Sequence, residues 1–199
     1  MTKFIFDLDG TITRSETLPL IASRFNIRDE IAVMTRETIN GNIPFVESFI
    51  KRVHILGNLP VDEISYLLAE ANLYPRVIDF IEKNKEDCVI ATGNLMCWVD
   101  KLLNRIGCRC HASECTVEDN KVKKLTHILQ KENIVREYRN TGEKVVFIGE
   151  GNNDSEAMRL ADVSIASGLT HYPAKSVLSV ADYLIFDEGA LCRQLDRLF

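Results

Sequence analysis

Short apolar runs recur along the chain, and most are separated by stretches whose apolar positions repeat at helical spacing. Lys3–Asp7 is the first run, followed by Cys88–Ala91, Cys108–Ala112, Lys144–Gly149, Val163–Ala166 and Tyr183–Phe186. The amphipathic stretches fall at about 76–86, 95–106, 121–133, 153–161, 173–180 and 188–198. Runs apolar on successive positions suit strands buried on both faces. Their alternation with helices predicts an α/β fold, a parallel sheet with helices on both sides.

One segment breaks the alternation. From about 16 to 74 no strand pattern occurs, and helical patterns are punctuated by turns at Gly41-Asn42-Ile43-Pro44 and Gly57-Asn58-Leu59-Pro60. The expected organisation is an α/β core from 1–14 and 75–199, with a small all-helical cap, 15–74, inserted after strand one.

Composition narrows the possible partners. With 24 Lys plus Arg against 29 Asp plus Glu, the net charge is −5, and no basic run suggests nucleic acid. No apolar stretch approaches the roughly 20 residues of a spanning helix, so no membrane partner is expected. Asp7 and Asp9 cut the first apolar run too early for a signal-peptide core, which points to a cytoplasmic protein. The 6 cysteines then read as reduced thiols. Cys108, Cys110, His111 and Cys115 lack the paired spacing of structural zinc sites and read as small core residues. A monomer or homodimer is expected.

Chemistry in open α/β sheets gathers at the carboxyl ends of strands. Strand one ends in Asp7-Leu8-Asp9-Gly10-Thr11-Ile12-Thr13, strand two in Ala91-Thr92-Gly93-Asn94, and the Lys144 strand in Gly149-Glu150-Gly151-Asn152-Asn153-Asp154. Four carboxylates would converge there, and they repel unless a cation neutralises them. All-oxygen ligands favour Mg²⁺. In extended chain, residues i and i+2 share a side, so Asp7 and Asp9 can address one reacting centre. One carboxylate can attack phosphorus while the other exchanges protons with the leaving oxygen and with water.

The Asp7–Thr13 segment resembles the first motif of the haloacid dehalogenase superfamily, whose core is a Rossmann-like parallel sheet. Thr92 resembles the second-motif hydroxyl. Lys121, read as opening the helix over 121–133, resembles the third-motif lysine, and Gly149–Asp154 resembles the fourth motif. The resemblance implies Asp7, Asp9, Thr92 and Lys121 as catalytic residues, and Mg²⁺ held by Asp7, Asp9, Glu150 and Asp154. Within that superfamily the cap resembles the phosphoserine phosphatase-like branch. There Glu16, Phe45 and Arg52 stand where the branch binds its substrate, and Gly93 and Asn153 are also assigned to substrate binding. The implied partner is a small phosphorylated metabolite, with phosphoserine the first candidate.

Three departures stand out. Glu150 replaces the usual Asp, Asn94 replaces a glycine common in the serine-specific enzymes, and the short Gly107–Lys121 segment leaves no room for the branch's hairpin flap. The alternatives are transfer of the phosphoryl group to an alcohol such as homoserine, and a catalytically weak binding or regulatory protein.

Overall fold

A computed structural model describes the backbone of all 199 residues and every side chain except that of Arg28. The elements run β1 (Thr2–Phe6), α1 (Thr17–Arg24), α2 (Arg28–Ile39), α3 (Phe45–Leu56), α4 (Val61–Ala69), α5 (Pro75–Lys83), β2 (Cys88–Leu95) and α6 (Met96–Ile106). They continue β3 (Arg109–Glu118), β4 (Lys121–His127), α7 (Lys131–Asn140), β5 (Lys144–Gly149), α8 (Ser155–Leu160), β6 (Val163–Ser167), α9 (Lys175–Leu178), β7 (Tyr183–Ile185) and α10 (Glu188–Asp196). The strands form one sheet in the order β4-β3-β2-β1-β5-β6-β7. All neighbours are parallel except β3 and β4.

The core forms on both sides of β1 because its residues alternate in direction. Phe4 and Phe6 are fully buried on one face, among residues of α5, α6, α10 and the inserted helices. Ile5 is fully buried on the other, with Val145 and Phe147 of β5 and residues of α7 and α8. Each such side chain stabilises the fold by about 1.5–3 kcal/mol. Phe4 packs edge-on against Phe80 of α5 at 5.3 Å. Residue register pairs Phe6 with Ile90 of β2 and Ile148 of β5, so β1 and β5 end side by side while β2 runs on to Leu95.

Helices α1 to α4 leave the core after β1 and return before α5 through two linkers that pair with each other. Arg14 N donates to Asn72 O at 2.8 Å, and Tyr74 N to Ile12 O at 3.0 Å. Thr13 and Leu73 form an isolated antiparallel bridge. The inserted helices pack over the carboxyl end of the sheet.

Two expectations need correction. Residues 121–133 are not one helix: 121–127 are strand β4, and helix α7 starts at Lys131. The flap is present, as the antiparallel hairpin β3–β4. Its turn residues Asp119 and Asn120 both have positive φ, 50° and 60°, the backbone of a tight two-residue hairpin turn. The hairpin tip grips the insertion between α3 and α4: Val61 N donates to Asn120 O at 2.8 Å and Val122 N to Gly57 O at 3.0 Å. Among the described residues, no helix is long and apolar enough to cross a membrane.

Candidate active site

β1 hands over directly to the site. Asp7 N makes the last ladder bond, to Ile148 O at 2.8 Å, and the chain then turns. Ile12 N and Thr13 N both donate to Leu8 O at 3.0 Å. Gly10 makes the turn possible with φ +73°, a conformation that side chains disfavour. A Cβ there would also lie 3.2 Å from the Glu150 carboxylate and 3.3 Å from His171 Nε2.

The turn presents Asp7 and Asp9 to a cleft of about 610 Å³, its open mouth included. Glu16, Phe45, Arg52, Gly93, Asn94, Glu150, Asn152, Asn153 and His171 also line it. Thr92 and Asp154 lie behind the wall, both fully buried. Thr92 Oγ1 accepts from Asn94 N at 3.1 Å.

Lys121 is not in this cluster. It is exposed on β4, paired in register with Glu118. The lysine beside the acids is Lys131, at the start of α7 and 1% exposed. Its Nζ lies 2.5 Å from Asp7 Oδ1 and 2.6 Å from Asp154 Oδ1. The displacement has a physical origin: the intervening residues are spent on a strand, so the helix that carries the lysine begins ten positions later than the apolar pattern suggests.

Asp154 is occupied on both oxygens. Oδ1 receives Lys131, and Oδ2 accepts from Glu150 N at 3.0 Å and Gly151 N at 2.8 Å. It therefore fixes both the lysine and the loop that carries Glu150. Glu150 in turn receives the Thr11 hydroxyl on Oε2 at 2.5 Å. The extra methylene is accommodated by leaning the carboxylate onto the Asp9–Thr11 turn. Asp7, Glu150 and Asp154 still offer oxygens within 4.8 Å of one another.

Asp9 has separate support. Thr17 N, at the start of α1, donates to Asp9 Oδ1 at 2.7 Å. Asn94 Nδ2 donates to the Thr17 hydroxyl at 2.5 Å, so Asn94 steadies the residue that steadies Asp9. Sequence reasoning missed this role for Asn94, along with Lys131, Asn152 and His171. Asn152 Nδ2 donates to Thr38 O at 2.6 Å and Ile39 O at 3.0 Å, tying the core loop to the end of α2. The doubled Asn in Gly151-Asn152-Asn153-Asp154 was a usable signal; His171 and Lys131 had none as local as that.

Electrostatics follow from crowding. Burial and then Asp154 push the Asp7 carboxyl well above its ordinary range. Burial and then Asp7 do the same to Glu150. Asp9 is pushed up to about 6, by burial and then by Glu16, with the Thr17 hydrogen bonds pulling the other way. Burial opposes the charge on Lys131, but Asp154 and Asp7 outweigh it and hold the ammonium protonated. Four clustered carboxylates thus have one ammonium in direct contact. Their residual negative charge and oxygen-only donors fit a hard divalent cation.

Away from the acids, Arg52 is buried, with Nη1 3.3 Å from Thr35 Oγ1 and Nε donating to Ser48 O. Burial lowers its pKa, and Glu16 and Asp9 offset that. Glu16 Oε1 lies 3.0 Å from His171 Nε2, and this hydrogen bond raises the histidine pKa. Phe45 stacks on Phe49 at 5.5 Å and faces Gly93, where a Cβ would approach Phe45 Cζ to 2.5 Å.

A family model described as a haloacid dehalogenase-like hydrolase matches residues 2–162. The phosphoserine phosphatase of Archaeoglobus fulgidus is 27% identical over 93% of this chain, which spans 56% of that protein. That of Saccharomyces cerevisiae is 26% identical over 82% of the chain, which spans 58% of it. The Methanocaldococcus jannaschii enzyme is 26% identical over 81% of the chain and 83% of its own length. The chain therefore spans little more than half the length of the first two relatives. Among solved structures, a substrate-bound phosphoserine phosphatase superposes with a TM-score of 0.84 at 21% identity, covering 100% of this chain and 99% of the other. A phosphoserine phosphohydrolase-like protein from Francisella tularensis gives 0.83 at 19% identity, covering 98% and 100%. The matched span runs from β1 past the Glu150 loop and so contains every acid of the cluster, and on that footing the chain belongs to the haloacid dehalogenase-like hydrolases.

Proposed function

We propose that the chain is a Mg²⁺-dependent phosphomonoester phosphatase that works through an aspartyl-phosphate at Asp7. The observation that carries this reading is the pairing of two carboxylates with unequal surroundings at one strand end. Asp7 Oδ1 is clamped by Lys131 and by Leu8 N, at 2.8 Å, leaving Oδ2 as the attacking oxygen. Asp9 is held by Thr17 and raised toward neutrality, as a proton donor requires.

Asp7 Oδ2 attacks phosphorus, and the bond to the ester oxygen breaks. The departing alcohol takes a proton from Asp9. Asp9 then removes a proton from water, whose oxygen attacks phosphorus and releases phosphate from Asp7. Lys131 offsets charge developing on Asp7 and the phosphoryl oxygens. Gly93 and Asn153 line the cleft where the phosphoryl group would sit, with Thr92 behind them. The cation would be held by Asp7, the Asp9 carbonyl and Glu150, with Asp154 supporting, and would supply charge neutralisation between carboxylates and phosphate. Helices α1 to α4 act as the cap, excluding water and contributing Glu16, Phe45 and Arg52. A guanidinium buried at that end suits a substrate carboxylate, so phosphoserine, named for the relatives, is the first candidate.

A panel of phosphorylated metabolites assayed for phosphate release tests the reading. Release is expected with Mg²⁺ and is expected to fall to background in excess chelator, returning on Mg²⁺ addition. No release from any phosphoester would overturn it. A second expected result concerns the cap contact: Gly93→Ala should push Phe45 off the core. We expect KM to rise about tenfold with kcat changed less, measured by steady-state kinetics.

A further inference from the structure

The four inserted helices are not held to the core alike. The start of α1 is fixed by Thr17, which meets Asp9 and Asn94. Helix α4 packs along α6, where the Ser65 hydroxyl donates to Asp100 and Arg105 donates to Ala69 O and Ala71 O. The turn between α3 and α4 is gripped by the hairpin tip, where Asp62 N also donates to Asn120 Oδ1 at 3.1 Å. Helix α2 instead packs on α1 and α3, and lies between turns in which Asn26 and Gly41 take positive φ, 59° and 78°.

The carboxyl end of α2 reaches the core at Asn152. Helix ends leave carbonyls without partners inside the helix, and Asn152 Nδ2 supplies two of them, Thr38 O and Ile39 O. Its Oδ1 accepts from Ser176 Oγ of α9 at 2.6 Å, which orients the amide for that task. Asn152 also stands two positions after Glu150, in the loop that lines the cleft. On its inner side α2 contributes Thr35, Thr38 and Ile39 to the cleft wall, and Arg52 Nη1 donates to Thr35 Oγ1 at 3.3 Å.

We infer that α2 is the movable wall of the cleft, and that Asn152 is the positioning residue that latches it shut. The inference rests on the phosphatase reading and adds to it a movement confined to one helix, with α3 and α4 staying on the core. The closed wall sets Thr35 against Arg52 and so fixes the guanidinium. Without the latch the closed population falls, and the apparent affinity for substrates that reach Arg52 falls with it. A phosphate compound with no group for Arg52 gains no contact there from closure.

O-phospho-L-serine and acetyl phosphate form the test pair, since acetyl phosphate carries nothing for Arg52 to hold. Asn152→Ala is expected to lower the ratio of their kcat/KM values, phosphoserine over acetyl phosphate, by about tenfold, mainly through KM for phosphoserine. Asn152→Asp keeps the acceptor for Ser176 but loses the donor, and should lower the ratio at least as far. A loss shared equally by both compounds, or an Asn152→Asp variant with the parent ratio, overturns the latch. The movement is read separately, from distances between labels carried on non-natural residues. In Asn152→Ala the distance from position 33 of α2 to position 156 of α8 should gain a longer population, and that from position 63 of α4 to 156 should not. Lengthening of both distances, or of neither, overturns the inference. If the parent releases phosphate from neither compound, the phosphatase reading fails, and the label distances still decide the latch.

Discussion

Lys131→Met is expected to lower kcat for phosphate release by about 10³-fold, whereas Lys121→Ala should leave it within about twofold. The contrast follows from position. Lys131 Nζ is the ammonium in contact with both Asp7 and Asp154. Methionine fills similar volume but leaves two buried carboxylates facing each other, and Asp154 loses the partner of its Oδ1. Breaking a buried pair from one side costs about 3–5 kcal/mol, so the thermal midpoint should also fall. Lys121 is exposed on the hairpin and touches none of these groups. Equal loss of activity in both variants would overturn the assignment of Lys131. Melting curves in parallel with the kinetics separate a lost charge from a lost fold.

Asp7→Asn is expected to reduce kcat by about 10⁴-fold or more, because an amide is no nucleophile and forms no acyl-phosphate. The same substitution should not harm the fold. Asp7 is buried against Asp154 and Asp9, and its ionised form is disfavoured there. A neutral isostere of the same shape keeps an oxygen for Leu8 N and Lys131 and removes one of the crowded charges. In metal-free protein the thermal midpoint should therefore stay level or rise, a conflict between stability and activity common at reactive sites. Intact-mass measurement after incubation with a phosphoester adds a direct readout, with a phosphorylated species expected in the parent and none in the variant. Substantial turnover by Asp7→Asn would remove Asp7 from the role of nucleophile.

Much of this fold was legible because its signals are local. An apolar run followed by Asp7-Leu8-Asp9-Gly10-Thr11 announces both a buried strand and the turn that ends it, and Gly149–Asp154 does the same for β5. The hairpin was hidden by its own irregularity. In β4 the half-buried residues are Val122 and Leu125, three apart, which imitates a helix face. They can share a side of a strand because the β3–β4 ladder shifts register between Thr116 and Val117, which leaves Lys123 as an extra residue between them; a further shift follows between Glu114 and Cys115. Such shifts break the alternation on which strand recognition depends. Asp119-Asn120 carried the competing signal, since both types tolerate positive φ. Reading that turn first would have ended the strand near 127 and moved the helix start to Lys131. Contacts such as Asn94 to Thr17 and His171 to Glu16 join segments far apart in the chain, and no local pattern encodes them.

The central place of β1 has a consequence for the order in which the molecule can assemble. Phe4 pairs with Cys88 on one side and with Val146 on the other, 88 − 4 = 84 and 146 − 4 = 142 positions away, so the first strand has no local partner in the sheet. Closing such long loops is entropically costly, and parallel pairings of this kind slow folding. The four helices after β1 depend instead on nearby residues and the linkers around Thr13 and Leu73. Asp7 meets Lys131, Glu150 and Asp154 only when β5 docks. Docking of β5 thus brings Glu150 and Asp154 to Asp7 in the same step that completes the apolar layers on both faces of β1.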